Sequence, residues 1–182
     1  NREWWNKINS MIWTTLDSEP ILPLAVEAAS LVDNFYVWAS FAERALHKLG
    51  HTHVKTLRGS VETSSFFKIP IEDKHELRKK FLIDSNCFLI GFVFRNQLRK
   101  SVPNLLDGFA DFLKKNPESN AKLLLHTHWG EGWDIVRLIK EKNIENSRIL
   151  TTYFCKKCKQ YEIKPFQGQE QDCKYCGAKK SQ

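Results

Sequence analysis

Four cysteines near the end of the chain carry the most specific chemistry in the sequence. Cys155 and Cys158 form one Cys-x-x-Cys pair, and Cys173 and Cys176 form another after fourteen intervening residues. Each such turn sets two thiolates on one side of a tight knuckle, about 2.3 Å from a tetrahedral Zn²⁺. Two knuckles complete a four-ligand shell, and Gly177 suits a backbone that turns closely beneath the metal. A pair of disulfides is the competing reading. The odd fifth cysteine, the lack of a secretory signal and the knuckle spacing favour metal. A filled Cys₄ shell leaves no open position, so the zinc expected here is structural. The segment holds too little apolar material to fold by itself, and the metal would supply the missing stability. The fifth thiol, Cys87, opens the apolar run to Phe94 and reads as a buried strand residue.

A second constellation lies upstream. Arg95, Arg99 and Lys100 follow that apolar run and precede a helical pattern. Cations beside a strand end and a helix N-terminus suit a diphosphate: arginine grips it with two donors, lysine acts as a point charge, and the helix dipole adds to both. A plain basic surface loop is the alternative. Downstream, His126-Thr-His128-Trp-Gly-Glu131-Gly-Trp133 follows another apolar run. With Asn96, the residues His126, His128 and Glu131 are candidates to line a binding crevice. Gly130 and Gly132 would allow close approach of a ligand or of the next helix. Metal binding by the two histidines is the lesser reading, since satisfied loop histidines are common.

These residues must be held by elements, and the pattern supplies them. Helices are expected over Leu24 to Leu31, Phe41 to Leu49, His75 to Phe81, Val102 to Lys115 and Trp133 to Glu141. Strands are expected over Asn34 to Ser40, Val54 to Leu57, Cys87 to Phe94, Ala121 to Leu125 and Arg148 to Thr152. The run from Cys87 to Phe94 is continuously apolar, as in a parallel strand buried on both faces. Strands alternating with helices indicate βαβ units, an α/β fold with a doubly wound sheet whose ligands sit beyond the carboxyl ends of the strands. Trp4, Trp5 and Trp13 are expected to be buried.

The order of these features resembles the middle of a family 4 retaining glycosyltransferase of the two-Rossmann-domain (GT-B) architecture. A strand ending at Ser40 leads to Arg58-Gly-Ser-Val-Glu62 and Phe66, similar to the family's crossing between domains. A later strand ends in Phe94-Arg95, with Lys100 five residues on, similar to the family's donor-diphosphate pair. The resemblance covers about Asp33 to Thr152. It implies a Rossmann-like donor domain, a nucleotide-sugar donor, and a glycan or other acceptor. It also implies that the chain is the central part of an enzyme and inactive alone. The implied organisation is the end of an acceptor-side α/β domain over residues 1–63 and a linker with a short helix over 64–84. A partial Rossmann-like domain over 85–152 and an inserted Cys₄ zinc ribbon over 153–178 complete it.

Composition sets the outer bounds. The 42% hydrophobic and 27% charged content is that of a globular domain. The longest apolar run is far too short to span a bilayer, and the opening residues lack an apolar signal segment. A cytoplasmic protein without a transmembrane segment is expected. The net charge of +7 raises nucleic-acid binding as a second class of function. Zinc-bound thiolates would remove two of those charges. Lys156, Lys157, Lys159, Lys174, Lys179 and Lys180 sit beside the thiolates and would offset their negative charge. The competing reading is therefore a non-catalytic α/β scaffold whose zinc ribbon binds nucleic acid or a protein. A degenerate glycosyltransferase fold kept for assembly is the third.

Overall fold

A computed structural model describes residues 7–181 and divides the chain into two compact units, residues 1–68 and 69–182. Both are mixed α/β with parallel strand pairs.

In the first unit, β1 (Met11–Thr14), β2 (Asn34–Val37) and β3 (Lys55–Thr56) form a parallel sheet in that order. The crossovers are α1 (Pro23–Leu31) and α2 (Ser40–Lys48). Pro23 sits at the start of α1, where the missing N–H costs nothing. The apolar positions of α2 recur at helical spacing, so Ala42, Ala45 and Leu46 are buried with Phe35, Val37 and Val54. Strand β1 falls in a stretch for which the sequence pattern gave only one helix. Its Met-Ile-Trp-Thr run is half exposed and too short to show an alternation. Trp13 is not buried but 44% exposed, stacked on Trp38 at 4.9 Å with its indole N–H donating to Leu57 O at 2.7 Å. Trp4 and Trp5 lie outside the described residues.

The second unit opens with α3 (Ile71–Lys80), which starts four residues earlier than the charge pattern suggested, directly after Pro70. Then come β4 (Leu89–Val93), α4 (Val102–Lys115), β5 (Lys122–His126), α5 (Ile135–Glu141) and β6 (Ile149–Phe154). Strands β4, β5 and β6 are parallel neighbours in that order. Leu106, Phe109, Leu123, Leu125, Ile135 and Ile149 form the buried core, with Leu105, Phe112 and Leu113 packed at its margin. Strand β4 corrects the expectation of burial on both faces. It pairs with β5 alone among the described strands, and Val93 is 76% exposed while Ile90, Phe92 and Phe94 pack inward. Continuous apolar sequence therefore marks a sheet edge here and not its centre. Cys87 is buried but precedes the strand, in a turn whose carbonyl accepts from Arg78 Nη1 at 2.8 Å.

Beyond Phe154 the chain makes β7 (Tyr161–Pro165), β8 (Glu170–Asp172) and β9 (Lys179–Ser181). Strand β7 lies antiparallel along β6 from Leu150 to Phe154. Strand β9 meets β6 at Phe154 and pairs with β8. The cysteine-bearing segment thus continues the α/β sheet, with β6 belonging to both parts.

Candidate metal centre and strand-end crevice

The two Cys-x-x-Cys turns share one backbone design. In each, the N–H four residues after the first cysteine donates to that cysteine's carbonyl at 2.8 Å (Lys159 to Cys155, Gly177 to Cys173). The first cysteine's own N–H donates five residues on, to Gln160 O at 3.0 Å and Ala178 O at 2.7 Å. The closing residue is left-handed in both, with φ 59° at Lys159 and 68° at Gly177. Glycine adopts that conformation freely, whereas lysine is strained by about 1 kcal/mol or more.

All five cysteines are free thiols, and Cys155, Cys158, Cys173 and Cys176 bring their sulfurs within 4.8 Å of one another. Two cross-knuckle S···S distances, Cys155–Cys176 and Cys158–Cys173, are 3.6 Å. A tetrahedron with bonds of about 2.3 Å has edges of about 3.8 Å, so the arrangement fits one four-coordinate ion. The backbone N–H of Cys158 is the main cause that brings the Cys155 thiol down to about 6, and burial pushes Cys158 up to about 12. Among the described residues, no other cluster of three or more His, Cys, Asp or Glu side chains could hold a metal ion, so His126, His128 and Glu131 do not form one.

The lysines around the cluster have divided duties. Lys180 is buried and ion-paired with Glu162, which also meets Lys164 at 3.5 Å; Lys179 pairs with Asp172 at 2.9 Å. Burial alone would raise the Glu162 carboxyl, but Lys180 and Lys164 together hold it below the usual range. Lys159 and Lys174 lie over the rings of Phe154 and Tyr175.

The parallel strands end on a second cluster. Arg95 leaves β4 exposed, with Nε 3.2 Å from Glu131 Oε2 in the loop after β5. Exposed pairs of this kind are worth about 0–1 kcal/mol, so a polyanion could displace Glu131 at little cost. Asn96 faces inward at 1% exposure. Its Nδ2 donates to the carbonyls of Glu131 and, at 2.9 Å, Trp133, while its Oδ1 accepts from Trp133 N at 3.1 Å. Asn96 therefore ties the two strand-end loops together, its amide engaged within the protein. Trp133, expected at the start of a helix, instead donates its indole N–H to Leu98 O at 3.1 Å, and Asp134 caps α5 by accepting from Arg137 N. Gly132 has φ +62°, and a Cβ there would lie 2.2 Å from Asn96 O, so only glycine fits the clamp.

Lys100 is half-buried in a 3₁₀ turn, Leu98–Lys100, just before α4. The left-handed Ser101 reverses the chain into the helix, and Pro103 removes one N–H from its first turn. His126 is exposed, with Nδ1 2.6 Å from Thr152 Oγ1, and His128 Nδ1 accepts from Gly130 N at 3.2 Å. Between them the buried Thr127 hydroxyl has no partner among the described residues.

Sequence reasoning missed the contacts that join these two clusters. Trp129 is buried and stacks on Phe166 at 4.2 Å, with the rings 6° from parallel. The Tyr153 hydroxyl donates to Gly168 O at 2.8 Å and accepts from Gln167 N at 2.9 Å. A lone aromatic residue between Pro165 and Gln167, as Phe166 is, carries no motif; its partner is set by the fold. No protein-family model matches the chain, and no curated protein matches it either.

Proposed function

We propose that this chain is a glycosyltransferase segment whose second unit carries the diphosphate half of a nucleotide-sugar site, with a structural zinc ribbon continuing its Rossmann-like sheet. The observation that carries this reading is the position of Arg95. It stands at the carboxyl end of a parallel strand, beside the loop of the neighbouring strand, where open α/β sheets bind ligands. Arg95 would exchange its exposed pairing with Glu131 for the donor's phosphates, and Lys100 would add a second positive charge from the turn. Both would neutralise the charge that develops on a leaving nucleoside diphosphate. Cys155, Cys158, Cys173 and Cys176 would hold Zn²⁺, a full thiolate shell whose contribution is to order the ribbon. The experiment is titration of the protein with UDP-sugars and GDP-sugars. Arg95→Ala and Lys100→Ala should each weaken binding about tenfold or more, near 1.4 kcal/mol. Affinity and turnover that both variants preserve would overturn the assignment.

One observation favours a second reading. Exposed Tyr161 and Tyr175 flank a cavity of about 80 Å³ whose lining includes Lys80, Lys164 and Lys174. Aromatic faces among cations suit single-stranded nucleic acid. Binding that falls steeply with salt and is lost in Tyr161→Ala with Tyr175→Ala would support that scaffold reading.

A further inference from the structure

A series of contacts leads from the cysteine-bearing segment back to the strand-end loop. Cys155 follows Phe154 at the end of β6, and the preceding Tyr153 is fully buried. Through its hydroxyl Tyr153 fixes Gln167 and Gly168, in the connection between β7 and β8. That connection touches the loop after β5 twice. Phe166 stacks on Trp129, whose indole N–H donates to Thr151 Oγ1 at 3.0 Å; Thr151 in turn donates to Leu125 O at 3.0 Å. Gln169 covers the next residue so closely that a Cβ on Gly130 would lie 2.5 Å from its Nε2. The residue after that, Glu131, pairs with Arg95 and accepts from Asn96. Three consecutive residues therefore join the cysteine-bearing segment to the basic strand end.

We infer that the β7–β8 connection is a positioning element for the strand-end loop, with Phe166 the positioning residue, and that metal at the four cysteines orders the loop through it. The role of the loop in binding rests on the donor-site reading above; the coupling does not. A pocket of about 270 Å³, open to solvent, lies beside the stack and is lined by Trp129, Phe166, Val136, Ile139 and Ile144. The Trp129–Phe166 stack is the aromatic contact that ties the start of the loop to the connection, while Asn96 holds its far end at Glu131 and Trp133. The ribbon in turn lacks the apolar content to hold its own shape without the ion.

Hydrogen exchange by mass spectrometry on the full chain tests the coupling without an activity assay. Chelation should raise exchange at residues 127–133 at least tenfold, alongside residues 155–178, while α4 keeps its protection. Phe166→Ala, kept metal-bound, should free residues 127–133 and leave residues 155–158 protected, and Phe166→Tyr should restore the loop. Loop protection that survives chelation overturns the inference, and so does exchange that rises equally in α4. If Phe166→Ala fails to fold, the chelation arm still decides. Titration with inorganic pyrophosphate separates the two readings. Binding by the wild type that weakens at least threefold in Phe166→Ala supports the positioning role, and unchanged affinity overturns it. Absence of pyrophosphate binding in the wild type counts against the donor site, while the exchange result still decides the coupling.

Discussion

The cysteine cluster and the strand-end crevice sit on one sheet but are built in opposite ways. Each Cys-x-x-Cys turn is closed by hydrogen bonds within six residues, so four short-range constraints define a site that could hold one ion. The crevice is closed by Asn96, Glu131 and Trp133, residues 35 and 37 positions apart. Its geometry exists only once β4 and β5 are paired. A local site of the first kind depends on its metal for energy and tolerates change around it. One of the second kind inherits its energy from the core and is broken by a single misplaced atom.

The largest effect should come from breaking the local site. Structural zinc contributes on the order of 10 kcal/mol to small metal-dependent folds, so Cys155→Ser or Cys173→Ser should abolish stoichiometric zinc binding and unfold residues 155–178. Metal content and circular dichroism would show this, with the melting of the α/β core retained. Because protons compete with the ion for thiolates, zinc should also be released as pH falls, and retention at pH 4 would contradict a thiolate shell. A smaller but sharp loss is expected at the tertiary site. Gly132→Ala places a methyl group against the Asn96 carbonyl in a left-handed conformation, and should cost about 2–4 kcal/mol in denaturant melts. Wild-type stability in that variant would show that the loop clamp is not rigid. The smallest change sharpens the likeness of the two knuckles. Lys159→Gly gives the first turn the residue that Gly177 supplies to the second, and should stabilise the ribbon by about 0.5–1 kcal/mol against chelator-induced unfolding. No gain would mean that the Lys159 contact with Phe154 outweighs its strain.

Helix α4 was legible to the residue because its apolar positions recur on one face and Pro103 marks its start. The four clustered cysteines were legible because their spacing is short and their chemistry rare. Arg95 and Glu131 were each singled out from strand-end position, yet their pairing was not, since it depends on the register of β4 with β5. The edge position of β4 was misread for a related cause: an apolar run reports hydrophobicity and not the number of neighbours a strand has. Strands β7 to β9 are polar and short, and only their partners make them strands.

By itself, then, the sequence determined the α/β alternation, the cation-bearing strand end and the paired Cys-x-x-Cys turns, all properties of neighbours along the chain. Tertiary structure alone decided that β6 serves both the sheet and the cysteine-bearing segment, that Asn96 is a clamp, and that Phe166 reaches Trp129 across 37 residues. Such contacts are set by packing density and strand register, which a one-dimensional pattern does not encode.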